Sequence, residues 1–267
     1  MTTAPASTYE ALLVDRQAGV ATVTLHRPEA MNALNMTLKR DLGRAVGELA
    51  DDADVRCVVV TGAGRAFSAG GDVDEMALND SPVRSRDRLQ VLLRDVFVPL
   101  AEMEKPTIAA VNGHAHGAGL SLALACDLIV ASDAAVLSCA FSKLGLLPDC
   151  GALYFLPRRL PMSVAKELVF TGRRFTAQEA LQMQLVNRVV PAQELPATVA
   201  DLATTLAAAP TVALGMAKRL LDQSLQSTLH EMAALEAFGQ AVLYTTADHT
   251  SAREAFRTRS TPTFQGR

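Results

Sequence analysis

The sequence predicts an α/β fold that closes in an all-helical segment. The apolar runs VRCVVVTG (55–62) and TIAAVNG (107–113) each end in a glycine-rich loop, and each loop leads into a helix start. Beyond Pro161 the pattern turns almost wholly helical. Hydrophobic residues make up 49% of the 267 positions against 20% charged, so a large core is available and wholesale disorder is excluded.

In order along the chain, ALLVDR (11–16) and VATVTLH (20–26) read as strands joined by a hairpin-like turn around Gln17, Ala18 and Gly19. The stretch Arg27 to Asn35 is a loop entering a helix over roughly 36–50, which sets Leu38, Leu42, Ala45, Val46 and Leu49 on one face. The run at 55–62 is β-branched and largely apolar, the look of a strand covered on both faces. The charged stretch 80–95 reads as a solvated helix. After the strand at 107–113 come an apolar helix (118–125) and two strands, CDLIVAS (126–132) and AVLSC (135–139). Helices are expected over 163–171, 177–184, 195–208, 211–225 and 229–246. The shift in composition at Val190-Pro191 and Leu195-Pro196 divides the chain into a core, 1–194, and a C-terminal helical region, 195–267.

The formal charge of −3, from 25 Lys and Arg against 28 Asp and Glu, gives no basic field for nucleic acid or an anionic membrane. The longest apolar stretch, Leu120 to Ala131, is interrupted by Asp127 and is too short to span a bilayer. MTTAPASTYEALLVDR lacks a basic segment followed by an apolar one, so no secretory signal is expected. Cys57, Cys126, Cys139 and Cys150 are scattered without a C-x-x-C pair, which reads as reduced core thiols in a soluble cytoplasmic protein.

The two glycine loops carry the chemistry. At the carboxyl ends of strands, main-chain N–H groups point into the crevice where α/β proteins bind ligands. Familiar uses of such loops fail here. Gly62-Ala63-Gly64 begins like a dinucleotide fingerprint, but Phe67 holds the third glycine position. No G-K-[ST] exists, and Ala66 spoils a nucleophile elbow around Ser68. His114 and His116 have no third ligand nearby, so no metal is expected. What remains is a pair of main-chain donors able to hold an oxyanion, on which a thioester carbonyl can be carried to its enolate.

The runs Arg27-Pro28-x-Ala30-x-Asn32-Ala33-Leu34, Ala66 to Asp72, Asn112-Gly113-x-Ala115-x-Gly117-Ala118-Gly119, Phe141 to Gly151 and Phe170-Thr171-Gly172 together resemble the enoyl-CoA hydratase/isomerase (crotonase) superfamily over nearly the whole chain. The resemblance implies a crotonase-like β/α spiral core, an acyl-CoA ligand and a C-terminal helical trimerisation region giving a homotrimer or a dimer of trimers. It implies no cofactor, since coenzyme A is part of the substrate. It assigns an oxyanion hole to the amides of Gly71 and Ala118. It also assigns a CoA path to Arg27, Ala30, Arg65, Ala69, Asp72 and Val73, with Phe256 and Arg259 completing the site of a neighbouring subunit. Asp72 has a competing reading as a loop and helix N-terminus residue.

The departures from the family pattern bear on the reaction. Hydratases of the family carry two glutamates, at positions held here by Ser121 and Phe141, neither of which titrates near neutrality. Asp149 remains in register with the acid of family isomerases, and FSKLGLLPDCG most closely resembles the ring-epoxide isomerases of phenylacetate breakdown. The resemblance therefore implies an isomerase that shifts a double bond, or opens a ring epoxide, with Asp149 as proton shuttle. Phe141, Leu144 and Leu147 are expected to make its pocket apolar. Ser121 either bonds a ligand or packs, and His114 lines the pocket or serves as a second acid. A hydratase-like lyase with substituted glutamates and a non-catalytic acyl-CoA-binding protein remain alternatives.

Overall fold

The computed structural model describes residues 9–76 and 81–267. The opening hairpin pairs β1 (Leu12–Gln17) with β2 (Val20–Leu25) in antiparallel register. Its turn residues Ala18 and Gly19 both have positive φ, 50° and 79°, the sense of turn that matches strand twist. Asn35 then caps α1 (Met36–Asp51), its side-chain oxygen accepting from the Leu38 amide at 2.9 Å. The predicted stripe of α1 is buried in full, and Asp41 is buried beside it, its carboxylate accepting from the amides of Glu10 and Ala11.

The chain continues as β3 (Cys57–Gly62), β4 (Ala66–Ser68), α2 (Val73–Met76) and α3 (Pro82–Leu92), which passes through a π turn into α4 (Val98–Glu102). Next come β5 (Thr107–Val111), β6 (His114–His116), α5 (Ala118–Leu124), β7 (Leu128–Ser132), β8 (Val136–Ser138) and a 3-10 turn, Ala140–Leu144. Then follow α6 (Ala152–Arg159), α7 (Met162–Thr171), β9 (Arg174–Thr176), α8 (Ala177–Gln182) and β10 (Arg188–Val190). Four helices end the chain: α9 (Leu195–Ala207), α10 (Thr211–Ser224), α11 (Leu229–Leu243) and α12 (Ala247–Thr258). Of the charged stretch expected as a helix, α3 begins at Pro82 and buries only Leu92; residue 80 lies outside the described residues.

Six strands form the main sheet in the order β1-β2-β3-β5-β7-β10, parallel from β2 onward. Its buried strands are apolar on both faces, as the sequence requires. Val58, Val60, Ala109 and Val111 turn to the larger core. Cys57, Val59, Ile108, Ala110 and Val130 pack against Leu195, Val199, Ala203 and Ala207 of α9. Thus the first helix of the 195–267 stretch covers one face of the main sheet. Lys218 of α10 pairs with Asp127 at 3.0 Å, and Arg56 donates to the carbonyls of Ala209 and Phe264, holding the last residues against the body of the fold.

The glycine loops, expected as loops alone, each contribute a three-residue strand. These build a second sheet, β4-β6-β8-β9. Phe67, Ala115, Leu137 and Phe175 point from it into the large core, while His114, His116, Ser138 and Arg174 lie on its other face. Strands this short leave no period to read, and their pairing partners are distant in sequence.

Candidate active site

The two glycine loops meet backbone to backbone. A Cβ on Gly70 would stand 2.5 Å from the His116 carbonyl oxygen and 3.2 Å from the Ala118 nitrogen, and a Cβ on Gly119 would overlap the Ser68 carbonyl. Only glycine permits that approach, and Gly70 also has φ +96°. Ser68 fixes the first loop, accepting from the Gly70 amide at 3.2 Å and donating to the Asn32 carbonyl at 2.8 Å. Leu34 bridges to Gly71 in parallel sense through its amide on the Gly70 carbonyl, at 2.7 Å. That pattern leaves the Gly71 amide without a partner among the described residues. Ala118 opens α5, so its amide has no acceptor within the helix; the first turn closes with Ser121 on the Gly117 carbonyl. Gly71 and Ala118 are therefore neighbouring, unsatisfied donors.

The loop that enters α1 forms the wall beside them. The Arg27 guanidinium donates to the Ala33 carbonyl at 2.6 Å and to Asp72 at 3.0 Å, so these two charged residues are paired and mostly buried. Ala69 donates to the Met31 carbonyl, just after the 3-10 turn that contains Ala30. Arg65 is exposed and rests its guanidinium on the Met31 sulfur, and Val73 is exposed at the start of α2. The structure thus gathers all six residues expected on the CoA path, with the Arg27 charge engaged in holding Asp72. Asn32, a motif residue to which the sequence assigns no role, is the stitch behind them. It is fully buried, accepts from the Arg27 amide and donates to the carbonyls of Ala63 and Ala66.

Asp149 follows the buried Pro148 in the loop before α6, where Cys150 (φ 53°) and Gly151 (φ 84°) both turn left-handed. Its main-chain carbonyl accepts from the Ser121 hydroxyl at 3.1 Å, and the same hydroxyl reaches the Gly117 carbonyl. Its Oδ1 is buried without a hydrogen-bond partner. Burial pushes the carboxyl above the ordinary carboxylate range, offset in part by the Cys150 thiol and the charge of Lys39. Ser121 is thus a strut rather than a lining group. Phe141 is only 7% exposed, and its ring lies 3.9 Å from where a Cβ on Gly117 would stand. The expected apolar surround is otherwise corrected: Leu144 and Leu147 are 55% and 71% exposed in this chain. Leu144 ends the 3-10 turn and Leu147 lies beyond it, both facing outward, while Phe141 turns in.

His114 lies with His116, ring centroids 5.4 Å apart, on the face of β6 opposite Ala115, and its buried Nδ1 lacks a partner. His116 contacts the Ser138 hydroxyl at 2.8 Å and is pulled down to about 4 by burial, with smaller effects from His114 and Arg174. A cavity of about 510 Å³ opens there, lined by His116, Ser138, Lys143, Arg173 and Arg174 and by none of Gly71, Ala118 or Asp149. Among the described residues, no three His, Cys, Asp or Glu side chains are placed to hold a metal ion. Phe256, 88% exposed, and Arg259 stand at the end of α12, and among the described residues no hydrogen bond or ion pair joins them to the loops around Gly71. No single helix among the described residues is long and apolar enough to cross a membrane.

Residues 15–267 match the sequence profile of the enoyl-CoA hydratase/isomerase family. The chain is 35% identical over 262 residues to the 1,2-epoxyphenylacetyl-CoA isomerase of Escherichia coli K12, covering 97% of this chain and 99% of that one. It is 36% identical over 248 residues to the short-chain-enoyl-CoA hydratase of Clostridium acetobutylicum, covering 92% and 94%. Most curated relatives carry hydratase names. The crystal structure of enoyl-CoA hydratase from Bacillus anthracis superposes with a TM-score of 0.91 at 32% identity, covering 97% of this chain and all of that one. With its fold and its sequence matched over nearly its whole length, the chain belongs to the enoyl-CoA hydratase/isomerase (crotonase) superfamily.

Proposed function

We propose that this chain is an acyl-CoA isomerase, shifting a double bond or opening a ring epoxide through a thioester enolate. The observation that carries this reading is the buried, unpartnered oxygen of Asp149, in a loop that Ser121 ties to the Gly117–Ala118 turn. The thioester oxygen accepts from the amides of Gly71 and Ala118, which are held in place before the reaction begins. With the oxyanion so stabilised, Asp149 takes a proton from one carbon, the electron pair passes into the enolate, and the proton returns at another carbon. No water is consumed. Burial makes the ionised Asp149 a stronger base than a surface carboxylate. Phe141 fills the space in which a second carboxylate would orient water.

In this reading Arg27, Ala30, Arg65, Ala69, Asp72 and Val73 form the CoA path, and the Arg27–Asp72 pair keeps its wall closed. Coenzyme A enters with the substrate, and the chemistry calls for no other cofactor. Exposed apolar side chains on the last helices, among them Leu221, Leu225, Phe238 and Phe256, favour cover by further copies of the chain as a trimer or a dimer of trimers. Phe256 and Arg259 then border a neighbour's CoA path.

The similarity to named hydratases supports a second reading, hydration of a 2-enoyl thioester. Deuterium incorporation into 2-enoyl, 3-enoyl and ring-derived CoA thioesters separates the two. Isomerisation with solvent exchange at the α or γ carbon is expected; rapid hydration of crotonyl-CoA at ordinary hydratase rates overturns the isomerase reading.

A further inference from the structure

The outer face of the second sheet carries a polar row that the proposed reaction does not use. His116 of β6, Ser138 of β8 and Arg174 of β9 are register partners across three adjacent strands, on the face opposite Ala115, Leu137 and Phe175. The cavity of about 510 Å³ opens over this row, bordered also by Lys143 and Arg173. Its volume lies in the range of about 300–1,000 Å³ usual for small-molecule pockets.

No Asp or Glu lines the cavity. The charge of Arg173 is answered from outside it, by Glu167 at 2.8 Å and Glu179 at 3.0 Å. Arg174 and Lys143 have no such answer: among the described residues, neither side chain makes a hydrogen bond or an ion pair. Lys143 is nonetheless placed, because its stem lies along Gly172, where an added Cβ would stand 3.4 Å from both its Cγ and its Cε. The His116 Nδ1 lies 2.8 Å from the Ser138 hydroxyl. A neutral imidazole and a hydroxyl hold two protons between them, and that bond uses one. The other remains as a donor. Two cations and a neutral donor therefore share one cavity with no carboxylate against them, in a chain whose net charge is −3. Ala140 and Leu144 supply an apolar wall beside them.

We propose that this cavity is a binding site for a small phosphate ester. Arg174 and Lys143 neutralise the phosphate, and the proton left on the His116–Ser138 pair donates to one of its oxygens. The wall of Ala140 and Leu144 takes the less polar body of the ester. A phosphate suits this set better than a carboxylate, since it brings three acceptor oxygens and up to two charges to two cations and a neutral donor. The site is separate from the expected CoA path, none of whose residues, from Arg27 to Val73, lines the cavity.

The test is titration calorimetry on the full chain at constant ionic strength, with inorganic phosphate and glycerol 3-phosphate as probes and acetate for comparison. Thermal stabilisation by the same compounds is the second measurement. Both phosphates are expected to bind at one site per chain, about tenfold or more tightly than acetate. Arg174→Gln and Lys143→Gln are each expected to weaken them about tenfold, the loss of one hydrogen bond to a charged group. Arg65→Gln, on the CoA path, is expected to leave them unchanged. Phosphate binding lost in Arg65→Gln and kept in Arg174→Gln puts the anion on the CoA path and overturns the proposal. Acetate binding as tightly as phosphate overturns it, as does the absence of both heat and stabilisation at millimolar phosphate. If the parent binds no phosphate and Arg174→Gln lowers the solution mass, the cavity takes a carboxylate from a second copy of the chain instead.

Discussion

The Ser121 hydroxyl, in the first turn of α5, donates to the main-chain carbonyl of Asp149 at 3.1 Å, so the helix that presents the Ala118 amide also braces the loop that carries the acid. A position that holds a glutamate in family hydratases here links the two parts of the site. In the proposed reaction that hydroxyl joins the turn carrying the oxyanion donor to the loop carrying the proton carrier.

Ser121→Ala removes that strut and leaves a buried carbonyl short of a donor, a loss worth about 1–3 kcal/mol. Thermal unfolding is expected to shift down. Turnover should fall while acyl-CoA affinity holds, because the CoA path is made by other residues. Unchanged turnover contradicts the bracing role.

Gly70→Ala brings a methyl group to 2.5 Å from the His116 carbonyl at a backbone angle that side chains rarely adopt. Separating the two loops spoils one or both oxyanion donors, and loss of such a donor costs on the order of 10²–10³ in kcat. Steady-state kinetics on a folded variant check this. A kcat within threefold of the parent counts against the paired-amide arrangement.

Asn32→Ala leaves the carbonyls of Ala63 and Ala66 and the Arg27 amide without their partner. It also puts alanine at φ 55°. Destabilisation of about 3 kcal/mol or more is expected from denaturant titration. A loss under 1 kcal/mol contradicts the account of Asn32 as the stitch of the entrance loop.

Two groups give stability opposite dependences on pH. Asp149 is raised on folding, so the folded state binds more protons than the unfolded one between the ordinary and the raised value. Its burial therefore costs stability increasingly as pH rises through that window. Asp149→Asn is expected to melt higher than the parent at neutral pH, with the gain vanishing below the ordinary carboxyl range near pH 4. His116 is lowered to about 4, so the unfolded state binds the extra proton and stability is lost as pH falls from about 6.5 toward 4. His116→Gln should flatten that part of the melting-temperature profile.

Elements with a period or a turn signature were legible in the sequence. The hairpin at Ala18 and Gly19, the buried stripe of α1 and the two-faced strand β3 follow from residue type alone. Hidden elements have physical reasons for being so. Pro157 and Gly151 punctuate α6, and α12 buries only Asp248 and Ala255, so neither offers an apolar stripe. The second sheet depends on pairings such as Ala66 with His114, far apart in the chain. The proposed roles of Gly71, Ala118 and Asp149 come from the register of motifs. Asn32 gains much of its meaning from the carbonyls of Ala63 and Ala66, more than thirty residues away. The exposure of Leu144 and Leu147 was hidden because adjacency to Asp149 in sequence does not say which side chains of a turn and the loop after it face inward.

The most direct test of the central claim compares Asp149→Asn with the parent protein in two assays: calorimetric binding of an acyl-CoA thioester, and deuterium wash-in at its α and γ carbons. Affinity within a few-fold of the parent together with wash-in reduced to background is the expected result. Wash-in at parental rates in the variant would contradict the assignment of proton transfer to this carboxyl.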